Sequence, residues 1–76
     1  MSSHADPDLT RLRIIFVAQR DAHGWTYEEL AERSGVSRQT LLNISSGKYN
    51  GDLKTWMKLA RAFNTSLDEL LAPVWE

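Results

Sequence analysis

The chain has 76 residues, 42% hydrophobic and 25% charged, with nine basic and ten acidic side chains and a formal charge of −1. This is the composition of one small globular domain. It excludes a disordered tail and a collagen-like segment, and leaves no room for a sheet, a lid and a substrate pocket together. There is no cysteine, hence no disulfide framework and no thiolate metal site. No apolar run approaches the ~20 residues that span a bilayer. The opening Met-Ser-Ser-His-Ala-Asp lacks the charged and apolar regions of a secretory signal. A cytoplasmic protein is expected, with no membrane, cofactor, metal or small-molecule partner.

Charge is unevenly placed along the chain. Residues 1–32 hold three arginines and six acids. Residues 33–61 hold Arg33, Arg38, Lys48, Lys54, Lys58 and Arg61 against Asp52 alone, and residues 62–76 hold only Asp68, Glu69 and Glu76. A basic middle between acidic ends can present one cationic face although the total is negative.

Five helices and no strand are predicted, over a single domain spanning 1–76 with a flexible start at about 1–6. The first helix is expected from about Pro7 to Ala22, with Asp6 as its cap and Pro7 at the first helical position. Leu9, Leu12, Phe16 and either Ile15 or Gln19 follow helical spacing, and Gly24 stops it. Thr26-Tyr27-Glu28-Glu29 forms a capping box for the second helix, with Trp25 and Leu30 placed as a hydrophobic staple. Ser37 caps a third helix that runs to about Ser45 and ends at Gly47. The polar turn Lys48-Tyr49-Asn50-Gly51 follows. Asp52 caps a fourth helix to Phe63, whose inner stripe is read as Leu53, Trp56, Ala60 and Phe63, and Asn64 closes it in the left-handed conformation. Ser66 with Glu69 makes a second capping box, opening a fifth helix with Leu67, Leu70 and Leu71 before Pro73.

Helices two and three are joined by Ser34-Gly35-Val36-Ser37. Two helices linked by a short glycine-containing turn form a helix-turn-helix. Ala31 is small where the helices approach, Gly35 supplies a positive φ, and Val36, Leu41 and Ile44 lock the pair to the core. Gly35→Val is therefore expected to destabilise the domain. At roughly 100° per residue the outward arc of helix three holds Arg38, Gln39, Leu42, Asn43 and Ser46. Arginine matches guanine in the major groove, asparagine and glutamine match adenine, and an exposed Leu42 suits a thymine methyl. The competing account of Leu42 is packing in the core or a dimer.

The stretch Thr26-Tyr27-Glu28-Glu29-Leu30-Ala31-Glu32-Arg33-Ser34-Gly35-Val36-Ser37-Arg38-Gln39-Thr40-Leu41 resembles the helix-turn-helix of phage repressor and Cro-type transcriptional regulators. The resemblance continues through Gly47-Lys48, Leu53 to Phe63 and Ser66 to Leu71, covering about residues 9–72. It implies an all-α, five-helix repressor-like domain that binds double-stranded operator DNA as a two-fold homodimer, with helix three in the major groove. Its base-reading positions fall on Arg38, Gln39 and Asn43. Its phosphate contacts fall on Lys48, Tyr49 and Asn50, with Ser37 and Thr40 near the backbone; Ser46 joins this set. Tyr27 stands where the family usually has a glutamine that touches phosphate, and its phenol can donate one hydrogen bond there. Ser45-Ser46 replaces a frequent Glu-Asn. The glutamate of that pair commonly meets an arginine that would be Arg20, so Arg20 is free for phosphate or engaged elsewhere.

The candidate dimer interface is the last helix and tail, about 66–76: Leu67, Leu70, Leu71, Val74 and Trp75. Trp75 is either an anchor or a lid on the core. No enzyme is expected, because His4 and His23 are far apart and Glu28, Glu29 and Glu32 suit capping and the helix dipole. The rival function is an antitoxin-like or anti-repressor module that grips a protein partner.

Overall fold

Hydrogen bonds spanning only three residues decide where four of the helices begin. In the computed structural model, which describes residues 6–76, the elements are α1 (Arg11–His23), α2 (Tyr27–Ser34), α3 (Arg38–Ser45), α4 (Leu53–Ala62) and α5 (Leu67–Leu71), then a 3-10 turn, Ala72–Trp75. His4 and most of the N-terminal stretch expected to be flexible lie outside the described residues. Thr26 accepts from the Glu29 N–H while Glu29 accepts from the Thr26 N–H, and Ser66 and Glu69 repeat the exchange. Ser37 accepts from the Thr40 N–H, and Asp52 from the Thr55 N–H. Asn64 closes α4 with φ 59°.

Four acids are held below the usual carboxylate range by hydrogen bonds of this short span. Asp8 is lowered first by the Thr10 hydroxyl, Glu29 by the Thr26 backbone N–H, Asp52 by the Thr55 hydroxyl, and Glu69 by the Ser66 backbone N–H. A carboxylate lowered in the fold adds stability that is complete above its unfolded value and is lost as pH falls through its folded value. Thermal midpoints are therefore expected to be level between pH 6 and 7 and to drop below about pH 4. A midpoint rising on acidification would contradict these caps.

The start of α1 differs from expectation. Asp8, not Asp6, organises it: Asp8 Oδ1 accepts from the Thr10 N–H at 3.1 Å and from the Thr10 hydroxyl at 2.6 Å. The Asp8 N–H donates to the Val74 carbonyl at 2.7 Å. This turn, tied to the far end of the chain, displaces the first helical turn, and Leu9 is left exposed.

Leu12, Ile15 and Phe16 of α1 form the core with Leu30, Val36, Leu41, Ile44, Trp56, Leu59, Ala60, Phe63, Leu70 and Val74. α1 packs on α3, α5 and the 3-10 turn, and α2 packs on α3 and α4. Leu59, absent from the predicted stripe, is fully buried, whereas Leu53 is 66% exposed. The buried stripe is rotated toward Leu59, which leaves the first residue of α4 outside. Leu70 and Val74 are also core residues, 3% and 5% exposed, because α5 and the 3-10 turn fold back on α1. They are withdrawn from the predicted dimer surface. Leu67 and Leu71 are half-buried, and Trp75 is exposed rather than a lid.

The turn between α2 and α3 is held by local bonds. Gly35 has φ 77° and donates its N–H to the Ala31 carbonyl at 2.9 Å. The buried Ser34 hydroxyl oxygen accepts from the Val36 N–H at 3.1 Å. That bond satisfies a donor that Gly35 turns away from the helix.

Candidate nucleic-acid interface

With Leu41 and Ile44 buried, α3 is rotated so that Arg38 and Gln39 are exposed and Asn43 is half-exposed. Gln39 Nε2 donates to Asn43 Oδ1 at 3.1 Å, so these two amides form one polar surface. Arg38 Nε donates to Glu28 Oε2 on α2 at 2.9 Å. Leu42, expected to project outward with them, is half-buried and presents only part of its surface. Ser37 is exposed, donating its hydroxyl to Thr40 Oγ1 at 2.8 Å, and Thr40 is half-buried.

The loop after α3 is anchored on α3 itself. The Asn43 carbonyl accepts from the Lys48 and Tyr49 N–H groups at 2.9 and 3.2 Å, and from the Ser46 hydroxyl at 3.2 Å. The Trp56 indole N–H donates to the Asn50 carbonyl at 2.6 Å. Ser46, Lys48, Tyr49 and Asn50 are thus all exposed on a loop tied at both ends. Lys54, Lys58 and Arg61 line a groove on α4 with Leu53 and Met57, so part of the basic middle of the chain lies on α4.

Tyr27 does not offer its proton outward. Its hydroxyl donates to Ser45 Oγ at 2.9 Å, and Ser45 donates in turn to the Leu42 carbonyl at 3.0 Å. The Arg20 guanidinium lies 4.0 Å from the centre of the Tyr27 ring, a cation–π contact. This corrects the expectation of a phosphate contact from Tyr27 and resolves Arg20: Tyr27, Ser45 and Arg20 join α2, α3 and α1. Tyr27→Phe should cost about 0.5–1.5 kcal/mol of stability, the net worth of one hydrogen bond. It should leave the salt dependence of any DNA binding unchanged; urea unfolding and a salt titration together check this.

Two residues of this surface escaped sequence reasoning. Arg13 of α1 donates through Nε to the Ser45 carbonyl at 3.0 Å, satisfying the C-terminal end of α3. From the sequence, Glu28 is a helix-start acid, whereas in the fold it holds Arg38. Neither role has a local signal, since the partners lie 32 and 10 residues away.

Two helices joined at a left-handed glycine, the second carrying exposed Arg38 and Gln39 with half-exposed Asn43, define a helix-turn-helix domain. A family model described as helix-turn-helix matches residues 18–70, and the chain belongs to that family, in its repressor and Cro-type branch. It is similar to an uncharacterised HTH-type transcriptional regulator of Archaeoglobus fulgidus, 43% identical over 51 residues, which are 67% of this chain and 73% of that protein. A regulator of the same description from Methanocaldococcus jannaschii is 41% identical over 51 residues, 67% of this chain and 77% of that one. One from Sinorhizobium fredii is 38% identical over 61 residues, 80% and 79% respectively. No solved structure matches the chain. No helix among the described residues is long and apolar enough to cross a membrane.

Proposed function

We propose that this chain is a non-enzymatic transcriptional regulator of the cytoplasm, one domain that binds double-stranded DNA in a sequence-specific manner. α3 enters the major groove. Arg38, Gln39 and Asn43 read bases, with the exposed part of Leu42 against a thymine methyl. Ser37, Thr40, Ser46, Lys48, Tyr49 and Asn50 meet the phosphates on either side. The observation that carries this reading is the common outward face of Arg38, Gln39 and Asn43 on a helix whose other face is locked in the core.

Two-fold pairing fits the same reading. One module neutralises few phosphates, and its affinity falls steeply with salt; a homodimer doubles the contacts and selects palindromic half-sites. Trp75, with Leu71, Leu67 and the exposed Leu9, lines an apolar groove of about 660 Å³ suited to that interface.

Selection of bound duplexes from a random pool tests the function directly, and recovery of no common motif at low ionic strength would sink it. Lys48→Ala is expected to weaken all duplexes alike and to flatten the slope of log affinity against log salt by about one. A protein-interaction role is favoured by one feature, the exposed Leu53 and Met57 on α4, at 66% and 55%. Salt separates the two readings, since a dry apolar contact loses little affinity as salt rises.

A further inference from the structure

We propose, building on the DNA-reading function above, that Glu28 is a positioning residue. It fixes which edge of Arg38 faces DNA and thereby selects guanine at that base pair. A guanidinium offers hydrogen bonds in two in-plane pairs, Nε with one Nη or the two Nη groups together. In this structure Nε is taken: it donates to Glu28 Oε2 at 2.9 Å. The Nη pair is left to point along the side chain toward a base edge. Two parallel donors match the O6 and N7 acceptors of guanine, and no other base presents two acceptors in the major groove.

The carboxylate also acts through charge. An unpaired arginine at the start of α3 would serve any nearby phosphate, and so bind every sequence. Glu28 neutralises it locally and repels phosphates, which weakens sequence-independent binding more than guanine recognition. The side chains are 55% and 70% exposed, so the pair biases the arginine and yields to a stronger partner without a large barrier.

The neighbouring amides follow the same logic. Gln39 Nε2 donates to Asn43 Oδ1, which leaves Gln39 one acceptor and one donor, the pattern that adenine N6 and N7 require. Asn43 keeps both N–H donors and the second lone pair of Oδ1. Adjacent contacts from Arg38 and Gln39 therefore favour guanine beside adenine.

The test uses the full chain and a duplex that the wild type selects from a random pool. That duplex should contain a guanine whose replacement by 7-deazaguanine, lacking the N7 acceptor, weakens wild-type binding about tenfold. Glu28→Ala should reduce that penalty to about threefold or less. It should also raise affinity for random duplex about three- to tenfold and steepen the salt slope by about one, because Arg38 is released to phosphate. Glu28→Gln keeps the acceptor and removes the charge; it should restore the guanine penalty while random-duplex affinity stays high. Matching thermal midpoints for wild type and both variants establish that folding is intact. If Glu28→Ala keeps the full guanine penalty, or if the selected duplexes carry no fixed guanine, the positioning role is overturned while DNA binding stands. If the wild type selects no duplex at all at low salt, the functional reading falls and takes this role with it.

Discussion

Replacing Arg38 by alanine is expected to cost about 1–3 kcal/mol of affinity at the preferred duplex, a loss of roughly 5- to 150-fold, and to relax preference at one base pair. The effect is large because the residue sits on the first turn of α3, exposed, with Glu28 as its partner and no role in the core. The alanine variant also leaves the Glu28 carboxylate unpaired near the phosphates, which adds to the loss. Stability should change by less than about 0.5 kcal/mol, since an exposed ion pair contributes little. Affinities measured on a panel of single-base variants of the selected duplex decide the matter. Equal losses on every sequence would mean that Arg38 holds a phosphate and reads no base.

The largest expected effect on stability is at Gly51. Its φ is 83°, and a Cβ added there would lie 2.6 Å from Trp56 Nε1 and 3.0 Å from Trp56 Cδ1. Trp56 is 3% exposed and its indole N–H donates to the Asn50 carbonyl, so the ring has no room to move without leaving the core or breaking that bond. Gly51→Ala therefore meets backbone strain, overpacking and loss of a part-buried hydrogen bond together, about 3 kcal/mol or more. In a domain of this size that lowers the thermal midpoint by more than about 10 °C. Gly35 provides the comparison. Its φ is 77°, but nothing lies within 4 Å of an added Cβ. Gly35→Ala should cost only the backbone term, about 1–2 kcal/mol. A β-branched residue, as in Gly35→Val, should cost somewhat more. Urea or thermal unfolding that ranks Gly35→Ala as worse than Gly51→Ala would show that Trp56 does not constrain the loop.

The contrast between these two glycines shows what could be read from the chain. Gly35 was legible because its role is local: the N–H of one residue returns to a carbonyl four positions earlier. Gly51 looked like an ordinary turn residue, because the ring that crowds it belongs to a helix not yet begun. The same division runs through the candidate interface. Arg38, Gln39 and Asn43 could be placed on one face from helical period alone. That Arg38 is held by Glu28 and that Tyr27 is spent on Ser45 depended on how α2 and α3 cross.

Sequence alone determined the helix starts at Thr26, Ser37, Asp52 and Ser66, the left-handed closures at Gly35 and Asn64, and the polar row on α3. Each follows from bonds or angles within one turn of chain. Only the tertiary structure decided that Leu53 faces outward, that Leu70 and Val74 belong to the core, and that Asp8 is pinned to the Val74 carbonyl. A helical period identifies an apolar stripe, but which part of that stripe meets another helix depends on partners tens of residues away, and no local preference encodes their approach.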